Sequence, residues 1–424
     1  MLVTSSNLRS RLPLVIVGNA FMRIASGASG VLVGLYLAHL ANRGFRINAA
    51  LAGTLGAVSF ATELVGAIPM GLASDALAPR GLMTAGAFLG AVATQLFGMT
   101  SRTGIFFLSR GVEGLGAAAV TPSLLSHLTD ITHEKHSLRA RVMSYFELSL
   151  LAGLALGGLT GAQLWHFLGA RAFSAVAAIY VLSACLLVLG AVGSRGHGSA
   201  QAISGFYTAL KEPSLQRLAP VWLCVNTIVG LWLGPTLPFL LTHREGGNQF
   251  LDGIFSNQPE RVGWLLLGYS LIFGAGVTAW SFVLPRMTEQ RALRIALVAM
   301  VGVCLGLFLL NHSGLSPTVR WAIGTSTALC IMVESGFTPA ALSLLAGAIG
   351  AQAGHGAAMG IYSVLLSIGA IVGSLLAAVL GQEFAVDGLI YGTFAMAIIA
   401  LFFVRWVRLD LTESKERSNV ETTV

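Results

Sequence analysis

The sequence predicts an all-α membrane protein in which twelve transmembrane helices form two pseudo-symmetric six-helix bundles. The first observation is composition: 55% of the 424 residues are hydrophobic and only 10% are charged. Soluble domains carry about 25% charged residues, so a soluble fold could not cover this much apolar surface. The second observation is that the apolar residues form runs long enough to cross a bilayer. The third is that these runs fall into two similar sets of six.

The individual helices follow from hydrophobic runs that are bounded by charges, glycine or proline. The run that starts near Leu12 continues to Leu40, which is too long for a removable signal peptide and predicts a first helix. The first six helices are predicted near 12–40, 48–72, 82–100, 104–128, 142–165 and 171–192. The second six are predicted near 217–241, 263–284, 292–310, 318–347, 357–381 and 388–408.

The two sets of six predict two domains and a duplicated unit. Residues 1–192 form the first bundle, 193–216 a polar linker rich in glycine and serine, 217–408 the second bundle and 409–424 a tail. Similar residues recur in the same order in both sets, which indicates a repeat. The matches are Pro13, Asn19 and Gly27 with Pro220, Asn226 and Gly234, each 207 residues later, and Gly153 and Gly157 with Gly369 and Gly373, each 216 later.

The basic residues predict the orientation. Two of the 25 Lys and Arg residues, Arg23 and Arg110, lie inside helices, and sixteen lie on the side of the termini and the linker. Because basic residues accumulate in the cytoplasm, both termini and the linker are expected there. This distribution accounts for the net charge of +7 without nucleic-acid binding. The seven on the external side are Arg43, Arg46, Arg102, Arg171, Arg244, Arg261 and Arg320.

The connection between the second and third helices carries a motif, Gly71-Leu-Ala-Ser-Asp75-Ala-Leu-Ala-Pro-Arg80. It resembles the loop signature of the major facilitator superfamily, G-x-x-x-D followed by basic residues, although alanine replaces arginine at 76 and glycine at 78. Gly71 would permit a tight helix exit, Asp75 could accept from backbone amides, and Arg80 could bridge to the other domain. We expect a gating loop; the alternative is a solvated turn.

The fourth helix carries Arg110-Gly-Val-Glu113-Gly-Leu-Gly, which is similar to the R-x-x-x-G-x-G signature of the same family. Its glycines are not a nucleotide-binding fingerprint, because no strand-to-helix turn surrounds them. Arg110 and Glu113 share one helix face, so they either act in coupling and substrate contact or neutralise each other.

The fifth helix carries Gly153, Gly157, Gly158 and Gly161, which align with the family's antiporter signature G-x-x-x-G-P-x-x-G-G. Gly158 stands in place of the proline that would bend the helix. The resemblance favours export by antiport, and close helix packing on glycine is the alternative of equal weight.

Other polar residues lie deep in the predicted helices. Arg23 and Glu63 lie at similar depths in adjacent helices and could form an ion pair, or act on a proton or substrate. Glu334 lies near the middle of the tenth helix, with no basic residue nearby in sequence. The resemblance implies that helices 1, 4, 7 and 10 line the transport cavity. With Glu63 of the second helix added, the candidates for substrate or coupling contacts are Asn19, Arg23, Glu63, Arg110, Glu113, Trp222, Asn226, Trp232 and Glu334.

The histidines at the end of the fourth helix suggest one alternative, a metal site. His127, Asp130, His133, Glu134 and His136 would share roughly one face at the end of the fourth helix. We favour a solvated helix end, and therefore expect neither a metal nor a cofactor. The four cysteines lack disulfide or zinc spacing.

The resemblance implies a monomeric, bacterial-type secondary transporter in the inner membrane, moving a small solute across the lipid bilayer by alternating access. The sequence contains no nucleotide-binding loop, so we expect an ion gradient to drive transport. The resemblance to the family favours protons as the ion. Export of amphipathic compounds is favoured; the alternatives are nutrient or organic-anion uptake by symport and a non-transporting receptor. No set of catalytic residues can be assembled, so an enzyme is not expected.

Overall fold

The computed structural model describes residues 5–76, 79–132, 149, 153, 155–191, 213–244, 248–312, 314, 316–349 and 354–407. Within these residues the chain is almost entirely helical and contains no strand. The predicted all-α fold class is therefore confirmed.

The described residues of the first half form six helices. A short 3-10 turn at Gly169–Arg171 separates the fifth helix from the sixth. The six are α1 (Ser5–Asn42), α2 (Ala49–Ala76), α3 (Pro79–Gly98), α4 (Thr103–Thr132), α5 (residues 155–168) and α6 (Ala172–Gly190).

In the second half, the described residues form six further helices, two of which are broken. They are α7a (Pro213–Leu233) with α7b (Thr236–Thr242), α8 (Arg261–Val283), α9 (Glu289–His312), α10a (Pro317–Glu334) with α10b (Phe337–Ile349), and a stretch Gly354–Phe403 that divides into α11 and α12 at Ala385. Ala385 has a φ of +50°, a conformation that is uncommon for a residue other than glycine, and it turns the chain sharply between the two helices.

The described helices supply the predicted membrane spans. Eight stretches are long and apolar enough to cross a bilayer, or nine with the pair α7a and α7b, which meet at 41°. Two of the eight, Ala155–Gly190 and Val364–Trp406, each contain two helices. Counting these separately and adding the 30-residue α4 gives the twelve predicted helices.

A proline accounts for one of the two breaks, and side-chain hydrogen bonds stabilise the other. Pro235 follows Leu233 and Gly234 and has no N–H to donate, so α7a ends before it. In the tenth span, the Ser335 hydroxyl donates to the Met332 carbonyl oxygen at 2.8 Å. The Trp280 indole of α8 donates to the Val333 carbonyl oxygen at 3.0 Å. These bonds satisfy carbonyls that the interrupted helix leaves open.

The two halves repeat the same close packing of small residues. A β-carbon at Gly157 would lie 2.9 Å from the Gly27 Cα, so α5 lies directly on α1. In the second half, a β-carbon at Gly373 would lie 2.8 Å from the Gly230 Cα, so α11 lies on α7a in the same way. Gly27 and Gly230 are 203 residues apart, which corrects the predicted offset of 207 for this helix by about one turn. A shift of four residues keeps the same helix face, so matching residue types along the sequence could not distinguish an offset of 203 from one of 207.

The halves meet closely at one end of the molecule, which we call the closed end. It contains the end of α1, the start of α2, α7b and the described residues of the connection that follows, 243–244 and 248–260. A β-carbon at Gly53 of α2 would lie 2.6 Å from the Ala378 Cα of α11. One at Gly34 of α1 would lie 2.8 Å from the Pro238 Cβ. All seven residues of α7b are buried here.

Candidate functional site

The first half contains a buried ion pair on α4. Arg110 Nη1 donates to Glu113 Oε2, and both residues are buried. The Tyr180 hydroxyl of α6 donates to Glu113 Oε1 at 3.3 Å. Glu113 is thus held from its own helix and from α6, and Arg110 has its charge compensated. The two residues therefore neutralise each other, which is one of the two alternatives predicted for them.

Arg23 and Glu63 lie beside this pair. Arg23 Nη2 donates to the Thr121 Oγ1 of α4 at 3.0 Å. The charges of Arg23 and Glu113 both act on Glu63, so the carboxylate lies within electrostatic range of one cation and one anion. The predicted proximity of Arg23 and Glu63 is therefore found, and both side chains are only partly buried.

The two predicted asparagines are both buried, with different partners. The Asn19 amide donates to the Ser149 hydroxyl. Asn226 Nδ2 has no hydrogen-bond partner in the described part of the chain, although Asn226 is 5% exposed. Its backbone packs against Gly369 of α11, as Arg23 packs against Gly153 in the first half. Asn226 thus occupies the position in the second half that Arg23 occupies in the first.

The tryptophans of the seventh span pack against other residues of the second half. Trp222 is buried in the core of the second half with Leu218, Val221 and Val225. The Trp232 indole donates to the Thr393 hydroxyl of α12 at 2.8 Å. Helix rotation, which a sequence does not give, turns both rings toward the interior of their own bundle.

Glu334 is the last residue of α10a and is buried. Thr327 and Cys330, on the same face of this helix, are the closest neighbours of Gly306 and Gly302 of α9. The Glu334 charge also acts on Tyr269 of α8 and Cys304 of α9. The carboxylate is therefore inside the second half, among α8, α9 and α10a. This face of α10a points toward α9, and a role of Glu334 in substrate or ion coupling stays a prediction.

Among the described residues, Glu334 has no ion pair or hydrogen bond to a basic side chain. This agrees with the prediction from its sequence neighbours. The structure adds two groups that the sequence analysis missed, Tyr180 and Tyr269. The Tyr180 hydroxyl bonds to Glu113, and Tyr269 lies within electrostatic range of Glu334. Each tyrosine is far along the chain from its carboxylate, so no local signal in the sequence marked either pairing.

The predicted gating loop is shorter than expected. Helix α2 continues through Gly71 and Asp75 to Ala76, so the expected helix exit at Gly71 is wrong. The run from Gly71 to Ala76 contains no proline, and nothing in it stops the helix. Arg80 is exposed in the first turn of α3. The role of Asp75 stays a prediction.

The glycines of α5 have two separate uses. Gly153, Gly157 and Gly161 lie on one face, against Arg23, Gly27 and Ala28 of α1. Gly158 faces the other half, where a β-carbon would lie 2.9 Å from Leu266 Cδ1 of α8. The packing alternative therefore accounts for the first three positions, whereas the position that replaces the signature proline lies at the contact between halves.

The possible metal ligands are only partly covered. His127 is buried in α4, and His133, Glu134 and His136 lie outside the described residues. No group of three or more metal-binding side chains occurs in the described ranges.

Comparisons with known proteins agree with this architecture. A model of the Major Facilitator Superfamily matches residues 15–323 and 233–423. None of the curated protein sequences compared with the chain matches it significantly. Three solved structures share the fold at low sequence identity.

The first is a bacterial homolog to the human lysosomal transporter Spinster, inward-facing and unoccupied, with 15% identity over 96% of this chain and 95% of that chain and a TM-score of 0.67. A POT family transporter in complex with a thioalcohol conjugated peptide has 13% identity over 93% and 95% of the two chains and a TM-score of 0.68. The nucleoside transporter NupG has 9% identity over 93% and 97% and a TM-score of 0.71. The chain therefore belongs to the Major Facilitator Superfamily and is a multi-pass membrane transporter, not an enzyme.

Proposed function

We propose that the protein is a monomeric, proton-coupled secondary transporter that exports amphipathic compounds by antiport. The observation that carries the proton coupling is Glu334, a buried carboxylate at a break in a membrane-spanning helix. An ionised side chain inside a membrane span is costly unless it is paired or reaches water. Exchange of a proton during the transport cycle explains why such a costly carboxylate is kept at this position.

The position of Glu334 favours a proton over a solute as its ligand. Its helix face points toward α9, away from the contact between the halves. A bulky compound in a central cavity would not reach it, whereas a proton can pass along side chains and water. The neighbouring Tyr269 hydroxyl is a group that could relay it. Substrate contacts are then assigned to the surfaces that the two halves turn toward each other.

The charge balance of the first half favours uncharged or amphipathic substrates over organic anions. Arg110 is already compensated by Glu113, and Arg23 shares its surroundings with Glu63. Uptake of an anion would use a cation that is free to bind it. Arg23 and the amide of Asn226, at equivalent positions of the two halves, are the proposed polar contacts; Asn19 lies deeper, on Ser149.

We further propose that the termini and the 193–216 linker are cytoplasmic, in a bacterial inner membrane. The closed end then faces outward, and the conformation described here is inward-facing. The two Spinster homolog structures with similar folds are both inward-facing, in unoccupied and occupied forms, which supports this assignment. In the opposite state, Asp75 and Arg80 would join the cytoplasmic ends of residues 1–192 and 217–408.

The test is transport by purified protein in liposomes, with a panel of amphipathic compounds and an imposed pH gradient. Glu334→Gln should abolish gradient-driven transport but preserve solute exchange without a gradient, because only titration is removed. Glu383→Gln is the matched control, since Glu383 is an exposed carboxylate at the end of α11. Normal gradient-driven transport by Glu334→Gln at every pH tested would refute the coupling role.

The direction of transport is tested in the same vesicles. An inward-directed proton gradient that drives compounds out of the vesicle interior supports antiport. Accumulation of compounds together with protons would support uptake by symport instead.

A further inference from the structure

Two histidines connect the halves at the closed end. His166 at the end of α5 lies 3.2 Å from Glu260 at the start of α8, measured from Nδ1 to Oε2. His243, which follows α7b, lies 2.5 Å from Asn42 at the end of α1, measured from Nδ1 to Oδ1. Both contacts link a residue of the first half to a residue of the second.

Glu260 belongs to a connection that is firmly attached to the second half. Asn311 at the end of α9 accepts from the Leu251 N–H at 2.8 Å and donates to Asp387 Oδ1 at 2.7 Å. Gln249 donates to the Phe384 carbonyl oxygen at 2.7 Å. These bonds tie the connection to α9 and to the turn between α11 and α12. When the halves separate at this end, Glu260 therefore moves with the second half and leaves His166.

We propose that His166 and Glu260 form a pH-sensitive clasp that holds the closed end shut when His166 is protonated. The inference rests on the alternating access of the proposed function. A protonated imidazole forms an ion pair with the carboxylate, whereas a neutral imidazole retains at most a weaker hydrogen bond. The contact between the halves is thus stronger with a charged imidazole than with a neutral one. Acid on the closed side slows opening.

Three further side chains near the clasp are charged or titratable. Arg261 follows Glu260, and Arg171 follows α5; both are exposed and carry a charge that does not change in this pH range. His39 of α1 packs edge-on against Trp165, next to His166 in sequence. Arg171 and Arg261 therefore contribute a constant charge, and His39 is the one titratable group of these three.

His243 acts in the opposite direction. Burial lowers the pKa of its imidazole, so protonation of His243 disfavours the closed contact. This titration falls at lower pH than that of an ordinary histidine. The His166 side chain is 48% exposed, so solvent protons reach it directly.

The test measures the distance between the halves by pulsed electron paramagnetic resonance. Spin labels on ketone-bearing amino acids replace Ser101 and Ser256, two exposed residues on opposite halves of the closed end, and leave the native cysteines in place. The parent chain carries Glu334→Gln, so that titration of Glu334 cannot contribute. The open-to-closed ratio should be about two- to five-fold lower at about pH 5 than at about pH 8, the size expected of a solvent-exposed ion pair.

His166→Gln and Glu260→Gln should each remove this pH difference. His312→Gln is the matched control, because His312 pairs with Asp387 inside the second half and should leave the difference intact. A pH difference that survives His166→Gln, or a parent chain without one, overturns the clasp. Neither result depends on whether Glu334 couples transport, so the two proposals fail separately.

Discussion

Charged residues inside the membrane differ in whether the fold compensates them. Arg110 and Glu113 form a buried pair on one helix, and Tyr180 adds a third bond. Glu334 has no basic partner among the described residues. Either member of a compensated pair alone would be an uncompensated charge out of water. In the proposed function, Glu334 is the residue whose protonation follows the transport cycle.

A double-mutant cycle tests the structural role of the α4 pair. Arg110→Gln and Glu113→Gln should each destabilise the protein by about 3–5 kcal/mol, because each leaves one buried charge alone. The double variant should be more stable than either single variant, since it buries no charge. Unfolding of the purified protein in detergent micelles measures all four free energies. Additive losses would indicate that the two residues act independently.

At the scale of helices, small residues decide which pairs pack closely. The α1–α5 contact in the first half and the α7a–α11 contact in the second both use glycine at the crossing. In lipid, where helices gain little from hydrophobic burial against each other, this close approach is a main source of association energy. Neighbouring glycines on one helix can nevertheless serve different contacts.

Gly157 and Gly158 provide a matched pair of variants on α5. Gly157→Ala should lower the unfolding temperature, because its β-carbon would lie 2.8 Å from the Ile24 carbonyl oxygen, and backbone cannot move aside cheaply. Overpacking of this kind costs about 1–3 kcal/mol. Gly158→Ala should leave the unfolding temperature unchanged or raised, since its nearest contact, 2.9 Å, is with the Leu266 Cδ1, the end of a flexible side chain, and no backbone atom lies as close. Equal losses in the two variants would contradict the assignment of the two faces.

At the scale of the whole molecule, the arrangement of the halves is set by contacts between α1, α2 and α5 on one side and α7b, α8 and α11 on the other. These contacts are concentrated at the closed end. An alternating-access cycle has to break them, so bulk added there should shift the equilibrium toward the state that is open at this end.

Gly53→Leu tests this shift, and Gly30→Leu is its control. A side chain at Gly53 would collide with the Ala378 backbone, whereas the described residues leave open space within 4 Å of a β-carbon at Gly30. Gly53→Leu should lengthen the distance between labels at Ser101 and Ser256, and Gly30→Leu should not. An unchanged distance in Gly53→Leu would mean that this contact does not hold the closed end together.

The sequence by itself determined the helices, their number and the two-fold repeat. Long apolar runs leave few structures that satisfy the backbone in a bilayer, so composition and run length were sufficient. The loop, α4 and α5 motifs also led to the family. The proximity of Arg23 and Glu63 followed from depth, because the rise per residue of a helix is fixed.

Tertiary structure alone decided which way each helix faces and where it breaks. Rotation assigned Trp222 and Trp232 to the interior of the second half and turned Glu334 toward α9. An apolar helix in lipid has little amphipathic pattern, so its sequence does not mark the face toward its neighbours. The repeat offset of α1 and α7, the extension of α2 to Ala76, and the meeting of His166 with Glu260 likewise depend on contacts between distant segments.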